Sequence, residues 1–308
     1  MIQSPWGGLP VSDAHVHFFS HAFFASLAQQ KNVDVAALGP MLAWQLPSQE
    51  PAHLAAAWIA ELDRHGVDCA ALIASIPHDE ASVQTAVELH PGRFYGYAMV
   101  NPTLPDSAER LRLTLLAGHL HGICLFPAMH RFSMHDDRVT AVLEAAAHRP
   151  GTVVFVHCGA LSVGVRNKLG LPSLFDMRYS NPMDLHEAVL RYPSIRFVIP
   201  HFGAGYFREA LMLADLCPNV YFDTSSSNHW MRYEAGLDLR VVFRRAMEVV
   251  GPGRLLFGTD SSFFPRGWNA PVFQEQAKAL YEIGLEAEDA GLIFHENLKS
   301  LFSPRKGG

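Results

Sequence analysis

Short runs of Val, Ile, Leu and Phe recur along the chain, separated by longer stretches in which apolar residues return every three or four positions. The continuous apolar runs read as strands buried on both faces, and the helical period between them reads as covering helices. The strands are predicted at Val11–His15, Cys69–Ile73, Phe94–Val100, Gly122–Phe126, Val153–His157, Ile195–Pro200, Val220–Asp223 and Leu255–Gly258. The helices are predicted at His53–Arg64, Glu80–Leu89, Ser107–Leu116, Asp137–Ala147, Asp184–Arg191, Tyr206–Leu216, Arg232–Val249 and Ala270–Ile283. Eight strand–helix repeats predict an α/β fold of the (β/α)8 TIM-barrel type, closed rather than doubly wound. Phe18 to Pro51 is longer than a usual strand-to-helix loop. It predicts a helical insertion after strand one, with a helix at His21–Gln30 and a lid over the mouth. Leu292–Phe302 reads as a short closing helix and Arg305–Gly308 as a frayed tail.

Composition agrees with this picture. Of 308 residues, 49% are hydrophobic and 18% charged, which suits a folded chain with a large core. No linker or shift in composition divides it, so 1–308 is read as one domain with a core at 11–302. The net charge is −6 and no basic run stands out, so no nucleic-acid partner is expected. Cys69, Cys124, Cys158 and Cys217 form no CxxC pair. With neither a secretory signal nor a long apolar span, they suggest a cytoplasmic protein without membrane contact.

The chemistry gathers at strand ends. In Asp13-Ala14-His15-Val16-His17 the two histidines are two apart, so a strand sends both to one face. Paired imidazoles chelate divalent transition ions. Strand five runs into His157, strand six into His201 and strand eight into Asp260. In a barrel those ends converge on one mouth. Any one of these residues could simply cap its strand. Five buried together require a metal or hydrogen bonds to offset their desolvation.

This set resembles the amidohydrolase superfamily. The text around it is similar to the amidohydrolase-related branch, also called amidohydrolase 2: Asp13 to His17, Val156-His157-Cys158-Gly159, Pro200-His201-Phe202-Gly203, Leu256 to Ser261 and Glu296-Asn297. That branch includes aminocarboxymuconate-semialdehyde decarboxylase, lactonases and hydratases. The resemblance implies one divalent ion, Zn2+ first and Mn2+, Co2+ or Fe2+ as options, held by His15, His17, His157 and Asp260. Where binuclear members carry a bridging Lys or Glu on strand four, this chain has Gly122 to Phe126, which implies a single ion. The catalytic residues would be Asp260, orienting a metal-activated water and taking its proton, and His201, stabilising charge on the substrate or shuttling a proton.

The activity so implied is that of a metal-dependent hydrolase of a small, carboxylated lactone, ester or amide. A non-oxidative decarboxylase or hydratase of an unsaturated acid is the alternative, and a barrel that binds metal or ligand without turnover is another. Loop residues should choose the small-molecule substrate. His130 and Arg131 follow strand four; Arg166, Lys168 and Arg178 follow strand five; Asn228, His229 and Trp230 follow strand seven; Arg266 and Trp268 follow strand eight. Among these, Arg178 and Arg131 are expected to bind a carboxylate, with Trp230 and Trp268 as apolar walls. A homodimer is also expected from the branch.

Overall fold

The computed structural model describes residues 1–225 and 228–303. Eight parallel strands form the barrel: β1 Ser12–Phe18, β2 Cys69–Ala74, β3 Phe94–Val100, β4 Gly122–Leu125, β5 Val153–Val156, β6 Arg196–Pro200, β7 Val220–Asp223 and β8 Leu255–Leu256. Each pairs in parallel with the next. The ring closes where Ala14 N–H donates to the Phe257 carbonyl at 2.8 Å and His17 N–H to the Ser261 carbonyl at 2.7 Å. The fold is a (β/α)8 barrel. Every residue of β2, β4, β5 and β6 is buried, as strands covered on both faces must be. Phe155 and Tyr97 fill the interior and Phe243 and Trp58 lie under the helices.

The helices start where side chains accept their free N–H groups. Ser20 accepts from Phe23 N, Asp34 from Ala36 N, Asp136 from Arg138 N and Asp238 from Val241 N. The insertion after β1 holds the expected helix, at His21–Lys31, and a second at Val35–Leu42 that the apolar period did not reveal. These helices and the segment Val163–Leu171 after β5 share a small apolar core of their own, with Phe23, Phe24, Leu38, Val165 and Leu169 at its centre.

Some edges differ from expectation. The helix expected from Arg232 begins at Leu239, and Asn228–Tyr233 is a 3-10 segment instead. The closing helix opens with a wide π-type turn at Leu292–Glu296 before Asn297–Phe302. A two-stranded hairpin, Ile2–Ser4 with Gly7–Leu9, precedes β1 and was not foreseen. The tail 305–308 lies outside the described residues. No described helix is long and apolar enough to cross a membrane.

Candidate active site

β1 delivers two imidazoles to the mouth. Its pairing with β2 takes one extra residue between Asp13 and Val16, a bulge that bends the strand and re-aims side chains. Asp13 anchors the bend. Its Oδ1 accepts from His15 N at 2.9 Å and Thr259 N at 3.0 Å, and its Oδ2 accepts from Trp268 Nε1 at 2.8 Å. Burial raises the Asp13 pKa to about 6, with these bonds opposing it. Thus Asp13 ties β1 to the segment after β8. Beyond the bulge, the Nε2 atoms of His15 and His17 lie 3.3 Å apart.

Asp260 arrives from the other side of that seam, with a left-handed φ of 56°. Its Oδ1 lies 3.6 Å from His15 Nε2 and 3.4 Å from His17 Nε2. A tetrahedral ion with bonds near 2 Å spaces its donors by roughly 3.3 Å, so this trio fits one cation. Burial alone would raise the Asp260 pKa, but the His17 hydrogen bond and the charge of the surrounding imidazoles hold it well below the carboxylate range.

Asp223, the last residue of β7, orients the trio. Its Oδ2 accepts from His15 Nδ1 at 2.6 Å, and its Oδ1 accepts from Ser225 N at 2.8 Å. A proton held on Nδ1 by that carboxylate leaves the Nε2 lone pair free for a ligand. Burial by itself lowers the His15 pKa, but the charge and hydrogen bond of Asp223, helped by Asp260 and Asp13, outweigh it and raise it to about 9. The carboxylates that favour a proton on His15 also favour a cation between the rings. Gly258 makes room for the pair: a Cβ there would stand 2.6 Å from Asp223 Oδ1 and 3.0 Å from His15 Cβ.

His201 follows β6 with φ 54°. Its Nδ1 is 3.0 Å from Ser225 Oγ, and its ring centroid is 5.2 Å from that of His15. Burial lowers its pKa, with His15 adding to the effect. His157 stands beside the trio rather than within it: the ligand atoms of His15, His17 and Asp260 lie within 4.8 Å of one another, and His157 is outside that group. Its ring is stacked on Phe126 and is 5.4 Å from His201, and its buried Nδ1 has no hydrogen-bond partner. A buried, unpartnered imidazole nitrogen at the edge of this cluster is what an additional ligand would look like before an ion draws it in. The described residues therefore fit a divalent ion.

These groups form the floor of a cavity of about 730 Å3. Phe19, Trp44, Phe126, Trp230 and Phe263 supply apolar wall, and Lys168, Arg232 and Arg266 supply positive charge. Four residues expected to contact substrate divide sharply. Trp230 lines the cavity. Trp268 does not: it is buried behind Asp13, to which its indole N–H donates. Arg178 is corrected too, because its side chain is 81% exposed and forks onto Asp176 outside the cavity. Arg131 is also exposed and donates to the Leu174 carbonyl. In both cases a nearer local acceptor captured the guanidinium. Asp223, Asp13 and Ser225 were missed as site residues. Asp223 could have been found, since it ends a predicted strand as His157 and Asp260 do.

The amidohydrolase family model matches residues 12–302. The chain belongs to the amidohydrolase family. One curated relative, Protein fluG of Emericella nidulans, is 37% identical over 86 residues, which is 28% of this chain and 10% of that protein. Among solved structures, a candidate 2-pyrone-4,6-dicarboxylic acid hydrolase of Pseudomonas putida superposes with a TM-score of 0.63 at 17% identity, covering 96% of this chain and 98% of its own. The 5-carboxyvanillate decarboxylase of Novosphingobium aromaticivorans, solved with manganese and 3-methoxy-4-hydroxy-5-nitrobenzoic acid, gives 0.59 at 17% identity, covering 98% and 99%. At such identities the likeness is one of fold. Within this amidohydrolase, a divalent ion is thus consistent with the side chains and with a solved neighbour.

Proposed function

We propose that this amidohydrolase is a metal-dependent hydrolase of a small carboxylated lactone, ester or amide. The observation that carries the reading is the spacing of His15 Nε2, His17 Nε2 and Asp260 Oδ1, at 3.3 to 3.6 Å, on the floor of a cavity lined with aromatic and cationic side chains. We assign His15, His17, His157 and Asp260 as the ligands, and zinc as the ion; manganese, cobalt and iron suit the same donors. Such an ion, when bound, supplies Lewis acidity and brings the pKa of a water to about 7.

The chain's own groups do the rest. Asp260, kept ionised by the imidazoles around it, orients the attacking water and takes its proton. His201, held by Ser225, faces the carbonyl oxygen of the substrate and steadies the charge that develops there. Arg266 replaces Arg178 as the carboxylate partner. Its guanidinium lies at the cavity wall, 3.1 Å from the Asp260 carbonyl and 4.5 Å from the centre of the Phe263 ring. Nη2 already donates to the Asp260 carbonyl and to Ser262 Oγ, and the remaining N–H groups, on Nε and Nη1, can donate to a carboxylate.

Zinc-loaded protein should open members of a panel of carboxylated lactones and release no carbon dioxide from unsaturated or aromatic acids. Carbon dioxide release alone would replace the hydrolase with a decarboxylase on the same scaffold. Elemental analysis of the purified protein checks the ion, and about one equivalent of divalent metal is expected.

A further inference from the structure

A buried carboxylate on a covering helix connects to the site from behind. Glu61 lies on the helix Pro51–His65, and its side chain is only 8% exposed. On its outer side, Arg64 Nη2 donates to both carboxylate oxygens at 2.7 Å, and His65 Nε2 lies 3.3 Å from Oε1. On its inner side, Oε1 accepts the backbone N–H of Trp268 at 2.8 Å. The turn after β8 packs directly on this carboxylate. A Cβ on Gly267 would collide with Oε1, and Gly267 holds φ 65°, so glycine suits that position on both counts.

Trp268 carries that hold inward. Its ring is buried against Phe257 and Phe273, with centroids 6.5 and 6.1 Å away, and its indole N–H donates to Asp13 Oδ2 at 2.8 Å. The other oxygen of Asp13 accepts from the backbone N–H groups of His15 and Thr259. Those two amides belong to the two segments that carry the trio, since His15 is on β1 and Thr259 directly precedes Asp260. One carboxylate therefore clamps both segments across the seam where the ring closes. Asp223 orients the His15 ring, whereas Asp13 fixes how far apart the two backbones lie.

We propose that Trp268 is a positioning residue for the metal, acting through Asp13 to fix the spacing between His15 and Asp260, and that Glu61 seats it. The proposal rests on the reading of His15, His17 and Asp260 as ligands. Removing the indole N–H leaves every donor atom around the ion in place. It also leaves Asp13 Oδ2 to the Thr259 hydroxyl, which belongs to the very segment that Asp13 should anchor. The carboxylate then follows that segment, without the indole's link to the covering helix. Ligand atoms that lie 3.4 to 3.6 Å apart by this route drift from the spacing one ion needs, and a displacement of roughly 0.5 Å is enough to weaken a metal site.

The test reads zinc affinity by competition with a chelator. Trp268→Phe keeps an aromatic ring and removes the donor; its Kd for zinc should rise roughly tenfold, the low end of the range for partners behind a ligand. The visible absorption bands of the cobalt-loaded variant should shift as well. Glu61→Leu should weaken zinc in the same way, and Glu61→Gln, whose amide oxygen still accepts the Trp268 N–H, should restore the wild-type value. Arg254→Met, which removes hydrogen bonds at the far end of the barrel, should leave zinc affinity unchanged, so that a general loss of stability is not what the assay reads. In an Asp13→Asn background the indole has lost its acceptor, and Trp268→Phe should add no further loss. Unchanged zinc affinity in Trp268→Phe, an equal loss in Arg254→Met, or an undiminished loss in the Asp13→Asn background would each overturn the proposal. Wild type that binds no zinc at micromolar concentration sinks the metal reading and this role with it; tight zinc binding untouched by Trp268→Phe sinks the role of Trp268 and keeps the metal.

Discussion

At the N-terminal end of the barrel, Arg254 donates to the carbonyls of Ala214, Cys217 and Val220, Asn297 to those of Pro252 and Leu255, and Asn219 to those of Val189 and Ile195. Arg149 and Arg196 do the same for Leu120 and Leu301. At the C-terminal end, imidazoles and carboxylates face one another, His157 Nδ1 has no partner, and His201, Phe202, Ala204 and Asp260 hold positive φ angles. Side chains at the first end complete the backbone's hydrogen bonds and add stability. Those at the second are held close together in costly conformations, which persist only where the surrounding structure imposes them. The division matches the general rule that barrel chemistry sits at the C-terminal face and stability at the other.

The comparison breaks most visibly at Asp260. Asp260→Asn should cut turnover by about a thousandfold, within the range for losing a positioned proton acceptor. Its melting temperature should stay near wild type, because Asn accepts a left-handed φ. Unfolding of this variant would mean that the mouth also carries the fold. Next, Asp223→Asn should weaken metal binding roughly 10- to 100-fold, the usual cost of losing a carboxylate behind a ligating histidine. Competition with a chelator reads this directly, and unchanged affinity would remove Asp223 from the site.

Arg254→Met tests the opposite end. It removes the side-chain donor shared by the carbonyls of Val250, Ala214, Cys217 and Val220, so urea unfolding should show a loss of about 1–3 kcal/mol with kcat/KM unchanged. A change in kcat/KM would erase the distinction between the ends.

The smallest effect concerns His121, between Tyr95 and Phe302 at the N-terminal end, whose pKa burial lowers to about 4. In the unfolded chain it titrates near 6.5. Between these values the unfolded state binds the extra proton, so stability falls as pH drops from about 6.5 towards 4, by at most about 1.4 kcal/mol per unit. His121→Gln should therefore lose less stability than wild type between pH 7 and 5. Parallel melting curves of the two proteins would remove this account.

The sequence by itself determined the barrel, because buried parallel strands must be continuously apolar and the helices between them must show the helical period. It also determined that His15, His17, His157, His201 and Asp260 sit at one rim, because strand ends of a barrel converge there. The helix at Val35–Leu42 stayed hidden, since its residues are apolar all round and packed in a separate lid core. Only the tertiary structure decided which loop cations face the cavity. Arg178 and Lys168 lie ten residues apart in one long loop, yet Asp176 captures the first, and the lid core points the second at Trp44. The tertiary structure also showed Asp223 on the His15 ring and Asp13 on the His15 backbone N–H, a pairing that the strand end at Asp223 does not by itself specify. A side chain's partner depends on the nearest competing acceptor in space, and no spacing along the chain encodes that distance.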